Sequence, residues 1–90
     1  MNFEYDPAKS ASNEEKHGIN FEEAQRLWED PEMITMRVDR KGEFRKMLIA
    51  RYAGCCWSAI YTIRPDNIRI ISVRRSTGKE VSFYDRKCNE

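Results

Sequence analysis

Histidine is almost missing from this chain: His17 is the only one in 90 residues. With three cysteines and no C-x-x-C spacing, the ligands of a zinc site are lacking. Cys55 and Cys56 are adjacent and Cys88 stands in a polar tail, a set that fits a reducing compartment better than a disulfide framework. No apolar run approaches the length of a membrane span. The polar segment after Met1 has no hydrophobic signal region, so a cytoplasmic protein without membrane contact is expected. A glycine-rich phosphate loop, an H-E-x-x-H pair and a Ser–His–Asp order are all absent. No metal or cofactor is therefore expected.

What is present suits one small domain over 1–90. Forty per cent hydrophobic residues can build a single core, and 34% charged residues leave a well-solvated surface. The net charge of +1 conceals an asymmetry. Residues 1–32 hold nine acids and three bases, whereas 33–90 hold thirteen bases and six acids. A basic second half can offer a local footprint to a phosphate backbone, although the halves can also simply pack on each other.

"NFEY" (2–5) is a short strand candidate. In "DPAKSASNEEKHG", Asp6 is placed as N-cap, Pro7 as first helical residue and Gly18 as left-handed terminator, with Ala8 and Ala11 as a thin apolar face. A second helix restarts at Asn20, which with Glu23 forms a capping box. Phe21, Ala24, Leu27 and Trp28 make its apolar stripe, and Asp30–Pro31 stops it. Extended periodicity follows in 32–38, 44–52, 57–63 and 68–75, with turns between. Strict alternation along 68–75 puts Arg69 and Arg75 on one strand face and Arg74 on the other. The end reads as a short, weak helix, capped by Ser76 and weakened by Gly78. The expected fold is α+β: two N-terminal helices on one face of an antiparallel sheet of about four strands.

Two groups of residues could carry chemistry. Arg37, Arg45, Arg51, Arg64, Arg69, Arg74 and Arg75 fall on strands or strand ends, where their forked guanidinium groups could bind phosphate. Charged edge strands also serve to prevent aggregation, which is the plainer role for any one of them. Tyr52, Trp57 and Tyr61 lie among these arginines and could stack unpaired bases, or fill the core. His17 is the one side chain whose ordinary titration lies near neutrality. In the last turn of a helix its charge would equally serve the macrodipole.

Taken together, "FEYDPAKSASNEEKHGINFEEAQRLWEDP" and "IRIISVRRSTGKEVSFY" resemble the BrnT toxins of bacterial type II toxin–antitoxin systems. The shared pattern runs through Phe3–Tyr5–Asp6–Pro7–Lys9, Lys16–His17–Gly18–Ile19, Phe21, Glu23–Ala24, Asp30–Pro31, Arg69–Ile70–Ile71–Ser72, Arg74–Arg75 and Thr77. Gly78, where a terminal helix would start, and the Cys55–Cys56 pair depart from it. The resemblance implies a RelE-like ribonuclease fold, RNA cleavage without a metal and arrest of translation and growth. It also implies a BrnA-like antitoxin, through whose complex alone operator DNA is bound. On that basis His17, with Lys16 second, is the acid–base candidate. Arg51, Arg69, Arg74 and Arg75 are candidates to hold phosphate, and Tyr61 is a proton donor or stacking partner. A non-enzymatic module binding nucleic acid or a partner, a decayed toxin included, is the alternative.

Overall fold

In a computed structural model, which describes residues 2–88, the first helix α1 runs Pro7–His17, with the ends its sequence predicts. The Asp6 carboxylate accepts from the Ala8 N–H at 2.9 Å. Gly18 closes the helix at φ 82°, its N–H donating to the Glu14 carbonyl at 2.8 Å, a conformation that a side chain would strain. The buried face is not the expected one. Ala8 and Ala11 are exposed, and Ser10 and Asn13 are buried instead.

Those two polar residues are latches. Ser10 Oγ accepts from the Phe21 N–H at 2.9 Å. Asn13 donates to the Ile19 carbonyl at 2.9 Å and accepts from the Val73 N–H at 3.1 Å. Each satisfies backbone groups that would otherwise be buried without partners, which is why polar side chains are tolerated there.

After α1 the chain forms a 3₁₀ helix, Glu23–Glu29, where an α-helix was expected. The Asn20–Glu23 capping box forms in both directions: Asn20 Oδ1 accepts from the Glu23 N–H at 2.7 Å, and the Asn20 N–H donates to Glu23 Oε1 at 3.3 Å. Phe21, Ala24 and Leu27 stand three apart and all are buried, the spacing that three residues per turn bring to one face.

Five strands follow the order β1-β5-β4-β3-β2: β1 (Phe3–Glu4), β2 (Ile34–Arg37), β3 (Lys46–Tyr52), β4 (Cys55–Ile63) and β5 (Ile68–Arg75). The four later strands are antiparallel neighbours. The first pairs parallel to the last, Phe3 with Ile68 and Glu4 with Arg69, so the sheet is mixed rather than antiparallel. Ala53 and Gly54 form the β3–β4 turn with φ of 53° and 81°, so Cys55 and Cys56 open β4 rather than occupying the turn.

A bulge corrects the expected parity of β5. Ile60 faces Ser72 but Tyr61 faces Ile70, leaving Ile71 as an extra residue. Ile70 and Val73 therefore enter the same core, and Arg69 shares a face with Arg74. Arg75 lies on the opposite face, beside Trp57.

The helices occupy both sides of the sheet. Ile19, Phe21, Ala24 and Leu27 pack against Leu48, Ala59, Tyr61, Ile70 and Val73 on one side. On the other, α2 (Gly78–Cys88) buries Tyr84 against Met47 and Ile49. The terminal helix expected here is present over 11 residues and is seated on this face by Tyr84. Gly78 is harmless because it occupies the first turn, ahead of the helix interior. The capping residue is Thr77: its hydroxyl accepts from the Glu80 N–H at 3.2 Å, while Glu80 Oε1 accepts from the Thr77 N–H at 2.9 Å. Ser76 turns instead to Ser58, their hydroxyls 2.8 Å apart.

Candidate functional site

The structure does not gather the seven residues singled out in the sequence into one site. His17 and Lys16, in the last turn of α1, line a cleft of about 470 Å³ closed by the β5 bulge. Lys9, Asn13, Ile71 and Ser72 share its walls, and no carboxylate is among the lining residues. Lys9, Asn13 and Lys16 are spaced by four and three, so α1 presents all three on one face. That spacing was available in the sequence and would have found Lys9. Ser72 depends on the bulge and was not legible.

Arg51 lies elsewhere, in a cleft of about 540 Å³ with Arg26, Glu29, Asp30, Tyr52 and Tyr84. Its guanidinium stands 5.5 Å from the centre of the Tyr84 ring and 3.8 Å from Asp85. Asp30 organises this corner. Its Oδ2 accepts from the Arg51 N–H at 2.8 Å and the Tyr84 hydroxyl at 2.7 Å, and its Oδ1 accepts from the Glu32 N–H at 2.8 Å. Burial alone would raise the carboxyl, but these donors outweigh it and hold Asp30 below the usual aspartate range. Read in the sequence only as a helix stop, Asp30 ties the 3₁₀ helix to β3 and α2.

Arg74 is held in an ion pair. Its two terminal nitrogens donate to both oxygens of Glu80, at 2.7 and 2.9 Å. Ser58, 1% exposed, donates to Glu80 Oε1 at 2.8 Å. The guanidinium, together with Thr77 and Ser58 as further donors, pulls the Glu80 carboxyl down to about 2. Arg69 donates to Glu4 at 3.0 Å, a carboxylate that also sits 3.7 Å from Arg64. Arg75 has no carboxylate partner among the described residues and lies 5.6 Å over the Trp57 ring. Tyr61 is 4% exposed, edge-on to Trp28 with centroids 5.2 Å apart, and burial raises its hydroxyl above the ordinary value. It belongs to the core and lines none of these clefts.

Among the described residues no three His, Cys, Asp or Glu side chains come together as a metal site, and no helix is long and apolar enough to cross a membrane. The α1–β5 cleft can do one thing readily: receive an anion beside a titratable imidazole.

The α1–β5 cleft of this small α+β protein is lined by cations and by no carboxylate. The chain itself, matched over residues 5–80, belongs to the BrnT family, ribonuclease toxins of type II toxin–antitoxin systems. RNA is thus its class of substrate and an antitoxin its class of partner. No individual curated protein matches it.

Proposed function

We propose that this chain is an endoribonuclease that cleaves RNA in the α1–β5 cleft by turning the substrate's own 2′-hydroxyl on the adjacent phosphate, without a metal. The observation that carries the assignment is the lining of that cleft: Lys9, Lys16 and His17 beside Ser72, with no acid to repel the backbone. In this reaction the 2′ oxygen bonds to phosphorus and the bond to the 5′ oxygen breaks, leaving a cyclic 2′,3′-phosphate and a free 5′-hydroxyl. His17 takes the 2′ proton, or returns one to the departing oxygen. Lys9 and Lys16 offset the charge that grows on the phosphorane oxygens. Arg75, free of carboxylates, holds a neighbouring phosphate. Arg69 and Arg74 act through the fold, since Glu4 and Glu80 already occupy them.

Two N-terminal helical segments ahead of an antiparallel four-strand run support a RelE-like reading of this single toxin domain. In the cytoplasm, cleavage would arrest translation and growth until a BrnA-like antitoxin binds, and their complex would repress its own operator.

The test pairs growth arrest in cells lacking an antitoxin with digestion of RNA by purified protein. His17→Ala is expected to lower cleavage by about 100-fold or more, the usual share of a positioned acid or base, and to relieve the arrest. Lys16→Ala is expected to act in the same direction. Full activity in both folded variants would overturn the site. Loss of cleavage on adding EDTA would overturn the metal-free route. Salt-sensitive RNA binding without any cleavage would instead favour a binding module.

A further inference from the structure

Phe44 and Ile63 are the two large hydrophobic residues left exposed among the described residues, at 75% and 65%. They are far apart in sequence, one ahead of β3 and one at the end of β4, yet they share the walls of two adjoining clefts of about 180 and 280 Å³. Neither cleft includes His17 or Lys16. Scattered single apolar residues need no explanation, but a contiguous pair with its own clefts marks a contact surface.

The surroundings state what would fit. Arg37 lies 5.1 Å over the Phe44 ring and is paired with Asp39, as Arg45 is with Glu43, whereas Arg40, Lys41 and Lys46 on the same hairpin have no ion-pair partners among the described residues. Beside them β2 is the outer strand of the sheet, with no neighbour beyond it among the described residues. Its last residue, Arg37, pairs with Lys46 on β3 and so leads the open edge directly onto the apolar pair. An incoming strand could take the backbone hydrogen bonds of that edge, seat an apolar side chain between Phe44 and Ile63, and meet the cations with acids. RNA fits less well. One of the two exposed residues is aliphatic and offers no stacking plane, and the Phe44 face is already covered by Arg37.

We propose that the β2 edge and the Phe44–Ile63 patch form the surface on which the antitoxin docks, through an extended acidic segment that carries an apolar anchor. This rests on the reading that the chain has a protein antitoxin. It also places the antitoxin away from the α1–β5 cleft, so that neutralisation need not plug that cleft.

The experiment co-expresses the toxin with the product of the adjacent reading frame and measures binding, alongside RNA cleavage by the free toxin. Phe44→Ser with Ile63→Ser is expected to weaken binding by about 30-fold or more, the effect of losing interface anchors, and to leave cleavage unchanged. Lys41→Glu, which keeps the apolar pair, is expected to weaken binding and flatten its salt dependence. On complex formation, amide exchange should slow across Ile34–Arg37. Unchanged binding in both folded variants would overturn the proposal, as would a defect that falls on RNA binding instead. Failure of the unaltered toxin to bind its neighbour's product would remove the partner reading and this proposal with it. Binding that is intact but confined to the His17 cleft would remove this proposal alone.

Discussion

Arg74 and Glu80 meet fork to fork, two parallel hydrogen bonds of 2.7 and 2.9 Å joining β5 to the first turn of α2. The carboxylate is also the acceptor for Ser58 and for the Thr77 N–H, so it fixes the start of the helix as well as its seat on the sheet. Glu80→Gln keeps the shape but loses the charge, and is expected to cost about 2 kcal/mol, the range for a hydrogen bond to a charged group. Denaturant midpoints of the two proteins at neutral pH check this.

The same carboxylate sets a pH dependence. Its folded value of about 2 lies below the ordinary 4.5, so the folded state favours the ionised form. The stability it supplies is complete above the ordinary value and is lost as pH falls from 4.5 towards 2. Unfolding midpoints followed down this range should fall more steeply in the natural protein than in Glu80→Gln. Parallel curves would show that the ion pair contributes nothing.

Asn13 ties α1 to β5 and to the loop after it. Asn13→Ala leaves the Val73 N–H and the Ile19 carbonyl without partners, at a cost of about 2–3 kcal/mol. In a domain of this size that lowers the thermal midpoint by roughly 10 °C or more. Asn13→Asp keeps the acceptor for Val73 and loses the donor to Ile19. It also sets a buried carboxylate oxygen against the Ile19 carbonyl, so thermal unfolding at neutral pH should show Asn13→Asp as no less damaging than Asn13→Ala.

Tyr61 tests which aromatics take part in chemistry. Its ring packs on Trp28 inside the core, so Tyr61→Phe should change stability by no more than about 0.5 kcal/mol and leave RNA cleavage intact. Tyr61→Ala should cost about 3–5 kcal/mol by opening a cavity. A folded Tyr61→Phe protein that no longer cuts RNA would return the hydroxyl to the list of proton donors.

Features set by neighbours in sequence were readable in advance. Asp6, Pro7 and Gly18 gave both ends of α1, and Asn20 with Glu23 gave the cap of the next helix, because capping is settled within one turn of chain. The strands were legible from their extended periodicity. What escaped depends on distant partners. Ser10 and Asn13 look like solvent-facing residues until Phe21 and Val73 arrive to bond them. The bulge at Ile71 has no glycine to announce it, yet it moves Arg74 to the face of Arg69 and leaves Arg75 alone. Of the candidate site, the Lys16–His17 end was visible; the lone bulge that brings Ser72 to it was not. The splitting of the arginines among Glu4, Glu80, Asp85 and Trp57 could not be read from alternation, which says which way a side chain points and not what waits there.

The parallel pairing of β1 with β5 has a consequence for synthesis. Phe3 is made well before Ile68, its partner on the sheet, and must wait for it. The Val73 N–H that fastens α1 is made later still, and Glu80 later again. A growing chain can form its first helix and its earlier hairpins, but it cannot complete the sheet or close the α1–β5 cleft before β5 has been made. A chain interrupted before β5 therefore lacks both the finished sheet and the α1–β5 cleft.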